Sequence, residues 1–399
     1  MGERHVIDTP AAFSSAVSRL DQGVGPVAVD AERASGFRYS QRAYLIQMFR
    51  RGSGTFLFDP VALGSFAELN AVIADSEWIL HAATQDLTCL REVGLNPDHI
   101  FDTELAARLL GLPRVGLGAV VEELLGIHLA KEHSAADWST RPLPDPWLEY
   151  AALDVEYLPD VRDALAAQLE DAHKTEIAKQ EFADELVRPL ATPRSEPWRR
   201  LSGVHTIRDP HIRAIARELW LSRDELAREL DTAPGRLIPD ASLVVAAKAK
   251  PSSRSDLAAL RDFTGRASRS HLDRWWQAIE RGLSSTDLPE RLPTGADTLP
   301  AVRLWGSRRP EADARLKEAR AAIAELSNAL SMPVENILTP ETVRRLAWSP
   351  PDPLTESTVA QELARHGARP WQIEATVGIL TQAFVDSGQN TSEPDPNVS

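Results

Sequence analysis

The sequence predicts an α/β domain, a mixed sheet flanked by helices, followed by all-α units. Three observations carry this. Val27 to Ala31, Tyr44 to Phe49 and Thr55 to Asp59 are rich in β-branched and aromatic residues and lie close together in the chain, so they read as strands joined by short connections. From Trp78 onward a strand pattern gives way to helical ones, as in sheets whose faces are covered by helices. Beyond Pro197 strand signals vanish and only helical periodicity remains. A chain of 399 residues exceeds one ordinary core, and two or three domains are expected.

The elements follow in order. Thr9 is the expected N-cap of a helix from Ala11 to Leu20, with Pro10 at its first position. Arg33 to Arg42 is a polar loop between the first two strands, and Arg51 to Gly54 a hairpin turn. Pro60 ends the third strand, and a helix is expected from Leu63 to Asp75. Trp78 to Ala82 is a fourth, buried strand. Thr84 to Val93 is helical with Gly94 as its stop, and Asp102 to Leu110, Leu117 to Leu125 and one long stretch from Asp145 to Asp171 complete the first unit. Pro189 to Pro197 reads as a linker. Ile207 to Ala249, Asp256 to Leu260 and Ser270 to Leu283 form a second, helical unit, with turns at Pro234 and Pro239. Ser284 to Pro300 is a second linker. Ala312 to Leu330, Pro340 to Trp348, Glu356 to Gly367 and Pro370 to Val385 form a third unit of similar design, a distant internal repeat of the second. The polar end is expected to be disordered. The expected domains are therefore 1–195, 205–285 and 305–387, with a tail over 388–399.

Composition is that of a soluble globular protein, 43% hydrophobic and 26% charged. The lone cysteine, Cys89, excludes an intramolecular disulfide and a thiolate zinc cluster, and fits a reducing, cytoplasmic setting. No apolar run is long enough to cross a membrane, and the first ten residues lack the pattern of a signal peptide. A net charge of −14 argues against a nucleic-acid partner until its distribution is considered. Residues 194–281 hold 17 Lys+Arg against 12 Asp+Glu, whereas the remainder holds 27 against 46. A basic middle segment thus lies between two acidic regions. It is either a salt-bridged surface or a phosphate-binding one.

The chemistry begins at Val27-Ala28-Val29-Asp30-Ala31-Glu32. Alternate strand residues share a face, so Asp30 and Glu32 point the same way, about 7 Å apart along the strand. Two like charges at a buried strand end are costly unless a cation lies between them, and a hard divalent cation suits carboxylate oxygens. Asp86 follows the buried strand Trp78 to Ala82 in the first turn of a helix, where the helix dipole favours a carboxylate in any case. Tyr150 and Asp154 are four apart and share a helix face, with Ala151 and Ala152 allowing close approach. Each motif alone has an ordinary structural explanation. Together they supply four acids and a tyrosine, the oxygen-rich set that two Mg²⁺ or Mn²⁺ ions need for phosphoryl chemistry.

The order of these motifs resembles the DEDDy 3′-5′ exonucleases, and within them the ribonuclease D family, over about residues 5 to 195. Leu45-Ile46-Gln47, Phe101-Asp102-Thr103 and Asp137-Trp138-Ser139-x-Arg141-Pro142-Leu143 also match the family's pattern. Residues from Ile207 to Leu283 are similar to its HRDC domain, and the third unit to a diverged second copy. The resemblance implies a ribonuclease H-like exonuclease domain followed by HRDC-type helical domains. It implies a monomeric enzyme that removes nucleoside 5′-monophosphates from RNA 3′ ends, with tRNA-precursor-like substrates. Asp30, Glu32, Asp86 and Asp154 would hold the metals, and Tyr150 would orient the attacking water.

Arg33, Gln47, His81 and Gln85 are the expected substrate contacts, although Gln47 and His81 also read as hydrogen-bonded structure. The chain departs from the family at Arg33, where an aromatic or bulky residue often follows the glutamate. Stacking at the 3′ end should differ, and Arg33 is suited to phosphate. Arg199, Arg200, Arg208, Arg213, Lys248, Lys250 and Arg254 are the expected phosphate contacts of the basic segment. Of the adjacent Trp275 and Trp276, at least one belongs to a core. The rival readings are a DNA 3′-5′ exonuclease of the same branch and an inactive nucleic-acid-binding scaffold. No P-loop for an attached ATP motor is present.

Overall fold

The computed structural model describes residues 4–129, 135–188, 196–290 and 299–390. Six strands form one mixed sheet: β1 (Val6–Ile7), β2 (Val24–Arg33), β3 (Ala43–Arg51), β4 (Gly54–Phe58), β5 (Glu77–Leu80) and β6 (His99–Asp102). Their order across the sheet is β1-β4-β3-β2-β5-β6. β2, β3 and β4 pair antiparallel through short connections, whereas β5 runs parallel to both β2 and β6. The expected mixed sheet is thus present, and the three expected hairpin strands are its centre. β1 and β6 are additional. Four residues of β6 after Pro97 carry too little alternation to be read from sequence.

Helix boundaries differ in instructive places. The helix expected over Leu63 to Asp75 is a single turn, Pro60–Leu63, followed by Ala67–Ile73, because Gly64 adopts φ 77° between them. The stretch expected as one helix from Asp145 to Asp171 is two, Asp145–Glu156 and Leu158–Asp171. The second starts with Pro159 near its N-terminus, where a missing N–H costs nothing. The helix Thr175–Val187 is also additional and covers the sheet edge at β6. The expected linkers fall largely on 189–195 and 291–298, outside the described residues. The last helix runs Pro370–Asn390, so the first residues of the expected tail are helical; 391–399 lie outside the described residues.

The two helical units share a plan. Pro210–Glu229, Pro234–Leu237, Asp240–Ala249, Arg254–Ala259 and Leu272–Ser284 recur about 100 residues later as Pro310–Leu330, Val334–Ile337, Pro340–Trp348, Glu356–Arg365 and Pro370–Asn390. Their cores differ. Trp198, Leu219, Phe263 and Trp275 belong to a separate core of the second unit. Trp305, Leu316, Leu363 and Phe384 of the third unit join the same apolar core as Phe58, Trp78 and Phe182 of the sheet domain. Of the tryptophan pair, Trp275 is fully buried, with its Nε1 donating to the Ala267 carbonyl, and Trp276 packs at the edge.

Candidate active site

The site lies where β2 runs beyond the carboxyl end of its parallel neighbour β5, the position at which open sheets leave a crevice. Val27, Ala28 and Val29 are fully buried and fix β2 in the sheet centre. Asp30 and Glu32 project from its end on one face, as their alternation requires. The helix Asp145–Glu156 packs across β2, β3 and β4. Ala151 and Ala152 are fully buried in that contact and let the helix approach closely enough to bring Asp154 against the strand acids. Carboxylate oxygens of Asp30, Glu32 and Asp154 all lie within 4.8 Å of one another. Asp86 and Tyr150 line the same cleft, which has a volume of about 560 Å³.

The electrostatics are those of crowded acids. Burial pushes Asp30 up to about 6, its largest influence, while a backbone N–H at Ala31 and the Arg33 charge pull the other way. Burial, then the charges of Asp30, Asp154 and Asp86, push Glu32 up to about 10. Burial and Asp30 push Asp154 up to about 8. Asp86 is likewise raised, by burial first and then Asp30. Without a cation this site holds protons at neutral pH. An all-oxygen set that resists ionisation fits divalent ions, which neutralise the charge that burial penalises. Arg33, with Nη2 3.7 Å from Asp86, offsets only part of it.

Tyr150 is hydrogen-bonded to Asp154, and its phenol is raised well above its ordinary value by burial first, then by the charges of Asp154, Glu32 and Asp30. It therefore stays protonated and can orient a water without acting as a base. Its ring packs against the fully buried Trp138, 6.5 Å between centroids. Trp138 belongs to the Asp137 to Leu143 motif, whose role is now visible. Arg141 Nε donates to Asp59 at 2.6 Å and Arg141 Nη2 to the Tyr44 carbonyl at 2.8 Å, tying the loop to the ends of β3 and β4.

The four expected substrate contacts separate. Arg33, His81 and Gln85 line the cleft. Gln47 does not; it is fully buried opposite Asp30 in the β2–β3 register, and its Nε2 donates to Asp30 Oδ2 at 3.0 Å. This corrects the expectation, since Gln47 positions a carboxylate rather than meeting substrate. His81 Nδ1 lies 2.8 Å from Thr103 Oγ1, and burial lowers its pKa. Asp86 is not inside a helical first turn as expected. It is the junction between a short 3₁₀ turn, Ala83–Gln85, and the helix Leu87–Glu92, and its side chain makes no cap bond, which leaves it for the cleft. Cys89 is core, as expected, with its thiol pushed up to about 12 by burial.

Two residues have roles at the site that the sequence did not assign to them. Asp102, buried at the end of β6, accepts from the backbone N–H groups of Ala82, Ala83, Glu104 and Leu105 at 2.6–3.0 Å. It caps one helix and holds the left-handed turn at Ala82 (φ 61°) that aims Asp86. The motif around it was visible, but its reach across to Ala82 was not. Phe37, in the polar loop after β2, lines the cleft beside the acids.

The basic segment is mostly paired. Arg213 is buried and bonds the carbonyls of Ile207, Arg208 and Pro289, so it is structural. Arg199 pairs with Glu196, Lys250 with Asp209 and Arg254 with Asp273, and Lys248 bonds Thr206. Arg200, Arg208, Arg261, Arg266 and Arg269 are exposed with no side-chain partner among the described residues. The cationic surface therefore lies partly elsewhere than expected, because helix packing consumes several of the expected charges.

Residues 4–170 match the family described as 3′-5′ exonuclease, 212–279 the HRDC domain, and 298–384 the 3′ to 5′ exonuclease C-terminal domain. The third unit thus matches a family of its own as well as repeating the second unit's plan. Ribonuclease D of Pseudomonas paraeruginosa is 32% identical over 310 residues, covering 75% of this chain and 77% of that protein. The exosome complex exonuclease RRP6 of Saccharomyces cerevisiae is 30% identical over 59% of this chain and 34% of its own length. A crystal structure of a protein from Bifidobacterium adolescentis superposes with a TM-score of 0.88 at 37% identity, over 96% of this chain and 97% of the other. Escherichia coli RNase D shares the fold, with a TM-score of 0.69 at 23% identity over 97% of this chain and 99% of that one. Similarity that runs through nuclease and helical units alike, over three quarters of both chains, joins the acidic cleft to one lineage: the chain belongs to the ribonuclease D family.

Proposed function

We propose that the chain is a divalent-metal-dependent 3′-5′ exoribonuclease that trims RNA 3′ ends and releases nucleoside 5′-monophosphates. The observation that carries this reading is the convergence of Asp30, Glu32 and Asp154 within 4.8 Å, in one cleft with Asp86 and Tyr150. Asp30, Glu32, Asp86 and Asp154 would hold two ions, Mg²⁺ or Mn²⁺, which supply Lewis acidity at the scissile phosphate. The chain's own part is to bind, orient and exclude. Asp154 and the protonated Tyr150 hold a water by hydrogen bonding, Gln47 fixes Asp30, and Asp102 fixes the turn that presents Asp86. Arg33, His81 and Gln85 border the space left for the terminal nucleotide, and Arg33 is placed for phosphate.

The reading extends to tRNA-precursor-like substrates with single-stranded 3′ ends and to a monomer acting in the cytoplasm. Its domain division, 1–195, 205–285 and 305–387, is supported by the separate core of the second unit and by the positions of the family matches.

The test is a time course on 3′- and 5′-labelled RNA and DNA with Mg²⁺, Mn²⁺ or EDTA. Mononucleotide release from the 3′ label, with RNA shortened faster than DNA, is expected. Asp30→Asn or Asp154→Asn should lower turnover by at least about 10²–10³-fold with RNA binding kept. Tyr150→Phe should lower turnover with metal binding kept. Full turnover in Tyr150→Phe would remove its water-orienting role, and no shortening with either metal would sink the reading.

A further inference from the structure

We propose that Glu185, on the helix Thr175–Val187, is a positioning residue of the nuclease: its carboxyl O–H, donated to Asp102 as a hydrogen bond, fixes the turn that presents Asp86 to a divalent ion. The inference rests on the exoribonuclease reading above and gives a role to an inward-facing acid that the reading leaves unused.

Asp86 depends on a turn that does not hold itself. It stands between a 3₁₀ turn and a short helix and follows Ala82, whose left-handed backbone (φ 61°, ψ 54°) an alanine seldom adopts unaided. The turn is held from another strand. Asp102 Oδ1 accepts from the Ala82 N–H at 3.0 Å, and Oδ2 accepts from the Ala83 N–H at 2.6 Å. Oδ1 also accepts from the N–H groups of Glu104 and Leu105, at 2.8 and 3.0 Å. The same carboxylate thus serves two tasks, capping its own helix and holding the turn at Ala82. Rotation toward the cap alone would release Ala82 and Ala83. Glu185 is hydrogen-bonded to Asp102 from a third element, and a donor there removes that freedom.

The shared proton belongs to Glu185. A hydrogen bond between two carboxyl groups needs one proton, and Asp102 already uses both oxygens as acceptors of backbone N–H groups. Burial first, then the Asp102 charge, pushes Glu185 up to about 9, so it is a neutral donor at pH 7. Its Oε2 is closed off from solvent with no partner among the described residues. A leucine would fill this place without an orphaned oxygen, so packing alone does not account for an acid here. The helix that carries Glu185 is anchored. The Phe182 ring meets Phe101, the neighbour of Asp102, with 5.0 Å between centroids, and Glu181 receives Arg369 and Trp371. The other charges that reach Glu185 are Arg188 and Glu181 of its own helix, and Arg188 is paired with Asp184 at 2.6 Å.

The test is a Mn²⁺ titration of the full chain, read by the paramagnetic resonance of free Mn²⁺, with adenosine 5′-monophosphate present. Asp86→Asn removes the ligand itself and sets the size of the full loss. Asp30, Glu32 and Asp154 converge without Asp86, so an ion held by those three should keep its affinity. Glu185→Leu should weaken the Asp86-dependent ion about tenfold, at the lower end of what the outer partners of a metal ligand contribute, and leave the other ion in place. Glu185→Gln keeps a donor and should bind as wild type, which separates the hydrogen bond from the acid. Glu185→Met, an unbranched apolar replacement, repeats the test where Glu185→Leu does not fold.

In turnover, Glu185→Leu should lower kcat at limiting Mg²⁺ and recover it in excess Mg²⁺, with KM for RNA unchanged. Equal weakening of both ions, Glu185→Gln as weak as Glu185→Leu, or apolar variants that titrate as wild type overturn the proposal. A wild type with no Mn²⁺ affinity for Asp86→Asn to remove overturns it too. Failure of the exoribonuclease reading looks different, since wild type would then shorten no RNA with Mg²⁺ or Mn²⁺ whatever the titration reports.

Discussion

The two helical units have nearly the same plan and opposite relations to the nuclease. The second, residues 196–290, keeps its own core and touches the loop after β2, beside the acids, through hydrogen bonds and through Tyr39, which packs on the edge of that core. The third, residues 299–390, shares the core of the sheet domain and meets it on the helix Thr175–Val187. There Arg369 Nε and Nη2 donate to both oxygens of the buried Glu181 at 2.6 Å, and the Trp371 indole N–H donates to Glu181 at 2.7 Å. The comparison teaches that one architecture serves two ends. A polar contact at the mouth of the cleft can tune substrate binding, whereas a shared apolar core can only support the fold.

The largest expected effect breaks the shared side. Arg369→Ala leaves Glu181 buried and short of its bidentate partner, and should cost about 3–5 kcal/mol. The melting temperature of the joint sheet-and-third-unit transition should fall in calorimetry, while turnover per folded molecule is kept. A variant that melted the second unit equally would refute the separation of cores.

Metal removal comes next. Asp30, Glu32 and Asp154 have folded values of about 6, 10 and 8, above their ordinary 3.8, 4.5 and 3.8. Metal-free, the folded state therefore holds protons that the unfolded state has lost, and its stability falls as pH rises through that window. A bound divalent ion displaces those protons, so metal affinity should rise from pH 6 to pH 8, with proton release. At a hundredfold excess over Kd the ion should add about 2.7 kcal/mol. The gap in melting temperature between Mn²⁺ and EDTA should widen with pH in the joint transition and leave the second unit's transition in place.

Tyr39→Phe probes the polar side. It removes the hydroxyl that meets Asp224 and Arg228, and should cost about 1 kcal/mol of docking. Its mark should be a raised KM for RNA with kcat kept. The smallest effect separates burial from charge on the shared side. Glu185 is hydrogen-bonded to Asp102 and pushed up to about 9, by burial first and then by Asp102. It is already protonated at neutral pH, so Glu185→Gln should change stability there by less than about 0.5 kcal/mol. Above pH 9 the variant should outlast wild type, because only wild type must then bury a charge.

The clustered acids Asp30, Glu32 and Asp154 were legible because their spacings follow local rules, alternation for Asp30 and Glu32 and a four-residue step from Tyr150 to Asp154, whereas the turn that presents Asp86 was not. The hairpin strands and most helices were legible for the same reason. What escaped depends on partners far along the chain. In Thr175–Val187 the buried Glu181 makes sense only once Arg369, 188 residues further along the chain, lies against it. Gln47 looked like a substrate contact because its register opposite Asp30 is a property of the sheet. Phe37 sat unremarked in a polar loop because the turn at Ala34 and the Arg236 side chain over its ring are tertiary.

The Gly111–Ser331 contact sets what can be exchanged in this architecture. Gly111 has φ 76°, and a Cβ there would collide with the Ser331 carbonyl, beside the carbonyls of Leu109 and Ser331 that Lys174 Nζ gathers at 2.6 and 3.3 Å. Main chain rests on main chain, with no side chain between them to be traded for another. The third unit is therefore not a cassette. A chimaera that grafts a foreign 196–290 need only match a few polar handles on one loop, but one that grafts a foreign 299–390 must inherit Gly111, Lys174 and Glu181 with it. Shuffling among relatives should accordingly leave the C-terminal unit travelling with its nuclease.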